Sequence, residues 1–394
     1  MVYLLEMRRD VCGHGDRLAA GGGIKVRRKK EELRNRICSA ETPAYQLPMR
    51  LRTAGLVLSG AIALHNAAAG DAYKFLNEIP IGGEGGWDIL TVDSAARRLY
   101  LSHATKVVVV DLEKNAVVGE IADTPGVHGF IAVPAVGNGF STNGRENKSS
   151  VVDLKTLKTV SKIDTGANPD AFAYDAKRGE VYLFNHSGNS ATVIDAKTAK
   201  VVATIQLGGE PEFGVSDAAA GKVYVNLEDK SEVAVIDAVK HEVVARWPLA
   251  PGTEPTGIAL DAAHHRLFAA CHNKVMEMLD TTSGKVVASV PIGAGVDGCA
   301  FDDATQLAFA SCGEGTTTIA KEEGDKLTTV QTLKTERSAR TMALDPKTHR
   351  IFLPSAQFEP AASPSPGASP TRPKMVPNSM KLLVYAPIDA ASDK

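Results

Sequence analysis

The sequence predicts an all-β fold, a seven-bladed β-propeller with four strands in each blade. Three observations predict it: a repeat of about 42 residues, four short β-branched strands in each repeat, and seven copies of the first strand. A fixed period of this length determines the whole fold, because each repeat buries its apolar face against the next one.

The repeat is clearest in segments that align without gaps. Asp111, Asp153, Asp195 and Asp237 are each 42 residues apart, and Asp280 follows after 43. One complete unit contains the runs DAFAYD, EVYLFN, SATVID and KVVATI, which are rich in β-branched residues and separated by turn residues. Four antiparallel strands per unit predict one blade.

Seven first strands predict seven blades: GWDILTVD, VHGFIAV, DAFAYD, EFGVSD, TGIALD, DGCAFD and RTMALD. The seventh unit ends after its third strand, KLLVYAP, at 381–387. Residues 73–79 match a fourth strand in pattern, so we expect this N-terminal strand to complete the last blade and close the ring. Closure would remove exposed sheet edges, which invite aggregation.

The second and third strands resemble those of a known family. VYLFNHSGNSATVID at 181–195 is similar to the YVTN repeat of YncE-like propellers, and related versions stand at 140–143 and 223–226. The resemblance covers residues 71–394 and implies an exported bacterial seven-bladed propeller. It implies no particular chemistry, because propellers of this kind serve many functions.

Residues 49–70 have the pattern of a signal peptide. Arg50 and Arg52 precede an apolar run at 54–64, and small residues follow it. The run is shorter than the roughly 20 residues that span a bilayer. We therefore expect a periplasmic or secreted protein with no transmembrane anchor after cleavage.

The rest of the chain divides around this segment. Residues 1–48 are either a mis-assigned leader upstream of a true start at Met49 or a disordered basic extension. Residues 71–394 would form a single propeller, and a Pro-, Ala- and Ser-rich stretch at 354–380 is expected to be a disordered loop within it.

Residues 71–394 are acidic, with 32 basic and 40 acidic side chains and a net charge near −8. Such a chain lacks the positive field that drives non-specific nucleic-acid binding, so a nucleic acid is not an expected partner. Three cysteines, an odd number, argue against a disulfide scaffold. Cys299 and Cys312 lie on neighbouring strands and form either a diagonal disulfide or two buried apolar side chains.

The opening residues of the first strands form the predicted binding site. These strands line the central channel of a propeller, so their equivalent positions form a ring at one mouth. The ring residues are Asp88, His128, Asp170, Glu212, Thr256, Asp297 and Arg340. Loops between second and third strands open on the same face and add Asn143, Arg145, His186, Glu228 and His272.

This ring combines carboxylates with an imidazole, which are ligands for a divalent cation. Ca²⁺ or Mn²⁺ could be held by His128, Asp170, Glu212 and Asp297. The alternative is a hydrated mouth in which Arg340 neutralises a carboxylate and water satisfies the other groups. The sequence has no CxxCH haem motif, no Gly-x-Ser-x-Gly elbow and no phosphate-binding glycine loop.

These features favour a binding module over an enzyme. The module would be an exported monomer that holds a small ligand, a metal ion or a protein partner at its loop-rich mouth. Two alternatives stay open: a metal-dependent lactonase or hydrolase with its ion at the mouth, and an accessory protein of periplasmic electron transfer.

Overall fold

Short strands joined by tight turns account for nearly all of the residues that the structure describes. The computed structural model describes residues 72–359 and 373–388. These residues form seven separate sheets of four antiparallel strands each, which is a seven-bladed β-propeller. The predicted fold class is therefore confirmed. The predicted leader at 1–48 and signal peptide at 49–70 lie outside the described residues.

The strands are numbered in chain order. The first is β1 (Tyr73–Pro80). Blade one contains β2 (Trp87–Asp93), β3 (Arg98–His103), β4 (Lys106–Asp111) and β5 (Ala116–Ile121). Blade two contains β6 (Val127–Val133), β7 (Asn138–Asn143), β8 (Lys148–Asp153) and β9 (Lys158–Asp164). Blade three contains β10 (Pro169–Asp175), β11 (Glu180–Asn185), β12 (Ser190–Asp195) and β13 (Lys200–Gln206).

The remaining blades follow the same plan. Blade four contains β14 (Pro211–Asp217), β15 (Lys222–Leu227), β16 (Glu232–Asp237) and β17 (Glu242–Pro248). Blade five contains β18 (Pro255–Asp261), β19 (Arg266–Cys271), β20 (Val275–Asp280) and β21 (Lys285–Pro291). Blade six contains β22 (Val296–Asp302), β23 (Leu307–Cys312), β24 (Thr316–Glu323) and β25 (Lys326–Lys334). Blade seven contains β26 (Ala343–Asp345), β27 (Arg350–Ser355), β28 (Lys381–Pro387) and β1. Two short 3₁₀ turns span Pro134–Val136 and Glu228–Lys230.

The recurring aspartates cap the turns that follow their strands. Asp195 accepts hydrogen bonds from the backbone N–H of Thr198 at 2.7 Å and from its hydroxyl at 2.6 Å. The fourth residue of this turn, Ala199, has a left-handed backbone with φ of 53°. Asp175 accepts from the backbone N–H groups of Lys177 and Arg178 at 3.0 and 3.1 Å. The 42-residue period of aspartate thus reflects a requirement of turn geometry.

An aromatic side chain at the third position of each second strand fills the space between blades. In blade order these residues are Tyr100, Phe140, Tyr182, Tyr224, Phe268, Phe309 and Phe352, all at most 2% exposed. Most of the core lies between neighbouring sheets, where Val, Ile, Leu and Ala of second and third strands pack face to face. Outer fourth strands are mostly exposed or half-buried, as expected at the rim: β13 has one buried residue, and β17 alternates exposed and half-buried residues.

The seventh sheet takes its outermost strand from the N-terminal side of the described chain. Strand β1 pairs antiparallel with β28, from Tyr73 opposite Pro387 to Pro80 opposite Lys381. Tyr73 also packs edge-on against Phe309 of blade six at 5.2 Å. This strand therefore joins blade seven to blade six as well as completing it.

Both ends of the predicted disordered loop at 354–380 are ordered, which corrects its boundaries. Strand β27 continues through Ser355, and Phe358 forms a bridge with Met375. Met375 packs against the core cluster between blades seven and one, and Met380 is buried within that cluster. The physical reason is that apolar residues at each end of the insertion reach this core. Residues 360–372 lie outside the described residues.

The three cysteines that the structure describes are free thiols. Cys299 lies opposite Ala310, and Cys312 lies opposite Val296. The Cys299 sulfur is 4.0 Å from the sulfur of Met276, in the core between blades five and six. The alternative without a disulfide is therefore the one observed, with Cys312 buried and Cys299 half-buried. Within the described residues, no helix has the length and hydrophobicity needed to cross a membrane.

Candidate functional site

Irregular pairing at the start of each first strand places the ring residues at one mouth of the channel. In blade three, Pro169 pairs with Asn185, but the next regular pair is Phe172 with Leu183. The extra residue in β10 forms a bulge beside Asp170, and bulges redirect side chains. The same shift follows the first residue of strands β2, β6, β14, β18 and β22. In blade seven, Arg340 precedes β26 and occupies the corresponding place.

Six of the seven ring residues line a cavity of about 360 Å³, and His128 is not among the lining residues. The cavity is large enough for an ion or a small molecule. The lining residues that the sequence predicted are Asp88, Asp170, Glu212, Glu228, Thr256, His272, Asp297 and Arg340. The lining residues that it did not predict are Phe213, Gly295 and Val296. The latter three contribute shape and apolar surface, which charge patterning along a sequence does not reveal.

His128 lies between two carboxylates at one side of the mouth. Its Nδ1 is 2.8 Å from Asp88 Oδ2 and 3.1 Å from Asp170 Oδ1. Burial alone would lower the pKa of His128, but the carboxylates of Asp88, Asp170 and Glu212 outweigh it and raise the pKa to about 9. In the absence of a bound cation, this imidazole is therefore charged at neutral pH.

His186 forms a second such arrangement in the neighbouring blades. Its Nδ1 is 2.9 Å from Glu212 Oε1, and its Nε2 is 4.0 Å from Glu210 Oε2. The close contact with the Glu212 carboxylate, opposed by burial and supported by Asp170 and Glu210, raises the pKa of His186 to about 9. Glu210 was not among the predicted residues. Its position two residues before Glu212 was a usable signal, because alternate residues of an extended chain share a side.

Asp170 belongs to both arrangements. Burial, reinforced by the charge of Asp88, raises its pKa to about 8, although His128 lowers it in part. One ligand atom from each of Asp88, His128 and Asp170 lies within 4.8 Å of the others, and the same holds for Asp170, His186 and Glu212. Asp170 thus links two groups of potential metal ligands.

Asp297, which the sequence also predicts as a metal ligand, belongs to neither group of potential ligands. The guanidinium of Arg340 forms a close ion pair with Asp297 and lies 3.6 Å from Asp88 Oδ1. It also donates to the backbone carbonyl of Trp87 at 3.3 Å. Burial raises the pKa of Asp297 to about 7 even though Arg340 lowers it. The predicted neutralisation of a carboxylate by Arg340 therefore occurs, mainly at Asp297 and more distantly at Asp88.

The predicted loop residues differ in their access to the cavity. His272 and Glu228 line it, with His272 Nδ1 3.7 Å from Glu228 Oε1. Asn143 is fully buried, and its amide donates to Glu146 at 2.8 Å and to Ser150 at 2.9 Å. Its role is to hold its own loop in place, so it is not available to a ligand. Arg145 is exposed and packs over Gly126.

The comparisons with known proteins identify the architecture. No protein-family model and no curated protein matches this chain. A solved chain of Kuenenia stuttgartiensis hydrazine synthase is similar with a TM-score of 0.62 and 16% identity, over 68% of this chain and 92% of that one. A chain from the crystal structure of the mitotic checkpoint complex is similar with a TM-score of 0.63 and 11% identity, over 89% of this chain and 99% of that one. At these identities the likeness shows the propeller fold alone.

Proposed function

We propose that this protein is a binding module that holds a divalent cation at the channel mouth, beside the cavity. The observation that carries the proposal is the position of Asp170 between two groups of ligands, Asp88 with His128 and His186 with Glu212. A ligand set that combines imidazole and carboxylate suits Mn²⁺ or Zn²⁺ better than Ca²⁺, which prefers oxygen ligands throughout.

The charges around the cavity support a cationic ligand. The carboxylates that line it are Asp88, Asp170, Glu212, Glu228 and Asp297. Arg340 is the fixed positive charge in the lining, and it is engaged mainly by Asp297. Protonation of His128 and His186 offsets part of the remaining negative charge. A bound cation would replace those protons and would lower the repulsion among the carboxylates.

The rest of the cavity leaves room for a second ligand beside the ion. Its volume of about 360 Å³ exceeds what a single ion requires. Phe213 and Val296 provide apolar wall next to the charged groups. The repeat architecture agrees with this kind of role, because repeat proteins present variable loop residues on a constant scaffold.

Isothermal titration of the metal-free protein with Mn²⁺, Zn²⁺ and Ca²⁺ tests the proposal. We expect Mn²⁺ or Zn²⁺ to bind, and we expect Asp170→Asn to weaken that binding at least about tenfold because both ligand groups lose a shared member. Asp164→Asn is the matched control, since Asp164 is an exposed carboxylate on the rim strand β9. Equal binding by the parent and Asp170→Asn would contradict a cation at this position.

A further inference from the structure

A buried carboxylate on the face opposite the cavity has no counterpart in the neighbouring blades. The backbone N–H of Glu322 in β24 donates to the carbonyl of Gln306 at 3.0 Å. The residues that make the equivalent bond in the first five blades are Leu112, Leu154, Ala196, Ala238 and Thr281. Four of these side chains are apolar and the fifth is uncharged, so blade six places a carboxylate where the repeat has none.

The surroundings of Glu322 do not satisfy it. The residue is 3% exposed, and its Oε2 is buried without a hydrogen-bond partner. A carboxylate oxygen of Asp261, the fully buried turn aspartate of blade five, lies within 4.8 Å of the Glu322 carboxylate, and the two groups are close enough to share a proton. Burial and the contact with Asp261 raise the pKa of Glu322. Two buried carboxyl groups side by side are costly unless a cation or a proton lies between them.

His264 completes a group of three at this position. Its Nδ1 is 2.7 Å from Asp261 Oδ2, and the other oxygen of Asp261 accepts from the backbone N–H groups of the turn. One ligand atom from each of Asp261, His264 and Glu322 lies within 4.8 Å of the others. The side chain of His264 is 56% exposed, so the group has a path to solvent on one side.

We propose that Asp261, His264 and Glu322 bind one Zn²⁺ ion between blades five and six. Two carboxylates and one imidazole supply three ligands of the types that Zn²⁺ takes, and water can occupy a fourth position on the exposed side. The ion would give the orphaned oxygen of Glu322 a partner. It would also connect the turn after β18 to the end of β24, and so tie two neighbouring blades together. This site is independent of the mouth cavity, which lies at the opposite ends of the first strands.

Equilibrium dialysis against Zn²⁺ tests this site in the full chain carrying Asp170→Asn, so that the mouth contributes as little as possible. We expect Glu322→Leu in that background to lose one bound Zn²⁺ per chain. Leucine stands at the equivalent position in blades one and two, so this variant should fold. Asp325→Asn is the matched control, because Asp325 is an exposed carboxylate of the same hairpin that pairs with Arg266.

A second variant and a spectroscopic probe separate binding from folding. His264→Ala changes an exposed side chain and should also lose one Zn²⁺, together with the visible absorption of Co²⁺ bound in its place. Unchanged Zn²⁺ content in both Glu322→Leu and His264→Ala would overturn the site, as would a chain that binds no Zn²⁺ in the Asp170→Asn background. Failure of the mouth proposal would look different, since Asp170→Asn would then bind as much metal as the parent.

Discussion

Asp170 is surrounded by other carboxylates at the mouth, and the neighbouring histidines only partly offset their negative charge. Its carboxylate contacts His128, and the charges of Asp88 and Glu212 oppose its ionisation. A carboxyl group whose pKa is raised in the folded state destabilises that state once pH exceeds the unfolded value near 3.8, and this cost grows until pH passes about 8. The metal-free protein therefore loses stability through this residue as pH rises.

The two histidines act in the same direction over a narrower range. Their folded pKa values of about 9 exceed the ordinary value of 6.5, so their contribution to stability is complete below pH 6.5 and is lost as pH rises through 9. We expect the urea midpoint of the metal-free protein to fall between pH 6 and 9. We expect Asp170→Asn to flatten that fall, leaving the variant equal to the parent near pH 4 and more stable at pH 8.

The measurement is a series of urea unfolding curves across this pH range, with Asp164→Asn as the exposed control. Metal affinity should change in the opposite direction and rise with pH, because the imidazoles must release their protons to coordinate. A parent midpoint that stays constant from pH 6 to 9 would contradict the proposed charge balance.

The sequence predicted which residues occupy equivalent positions at the channel mouth, but it did not predict which of their side chains form ion pairs. The period of the first strands placed Asp88, Asp170 and Glu212 at equivalent positions, and period alone suffices for that. The period could not show that Arg340 forms its close ion pair with Asp297, because that contact depends on the direction in which the side chains extend across the channel. Asn143 was predicted at the mouth because its loop is there, but its amide turns inward to secure the loop.

At the level of strands, β1 shows how a single element holds the ring together. Its backbone pairs with β28, and Gln331 of blade six accepts from the N–H of Tyr73 at 2.7 Å and donates to its carbonyl at 2.9 Å. Ile79 is fully buried in the core between blades seven and one, whereas Leu76 on the same strand is 43% exposed. The burial of β1 is thus concentrated in its two ends.

This asymmetry gives a matched pair of substitutions. We expect Ile79→Ala to lower the free energy of unfolding by about 2 to 5 kcal/mol, since it empties a buried site. Leu76→Ala should change it by less than about 0.5 kcal/mol, since it trims a partly exposed side chain. Urea unfolding of both variants measures the difference. Equal effects would show that β1 does not supply buried closure to blade seven.

Strand order was predictable from sequence, but the ends of the insertion were not. The pattern of Pro, Ala and Ser indicated disorder from 354 to 380, since such composition buries little apolar surface. Phe358 and Met375 nevertheless find apolar neighbours, with Phe358 at 6.2 Å from the ring of Trp87. Apolar residues at the ends of a polar stretch contact the core only after the chain has folded. Local composition therefore does not predict these contacts.

Considered as a whole molecule, the two proposed ligand groups at the mouth draw their residues from four blades. Asp88 comes from blade one, His128 from blade two, Asp170 and His186 from blade three, and Glu212 from blade four. An ion held by these groups would bridge consecutive sheets across the channel. The fourth strand of blade seven precedes blade one in the chain, so the ring is closed by strands from both ends of the propeller. Because opening any one interface between blades would disturb the whole closed ring, we expect unfolding to be cooperative.

The last prediction follows from that cooperativity. A cation that binds only the folded ring stabilises it by about 2.7 kcal/mol at a hundred times its dissociation constant. Scanning calorimetry of the full chain should therefore show one transition that moves upward by several degrees with Mn²⁺ or Zn²⁺ and keeps its single form. Glu322→Leu provides the background, since it removes the second proposed site and leaves the mouth intact. Two transitions, of which the metal shifts one, would show instead that blades one to four unfold separately from the other three, and the ring would then not be the cooperative unit on which this argument depends.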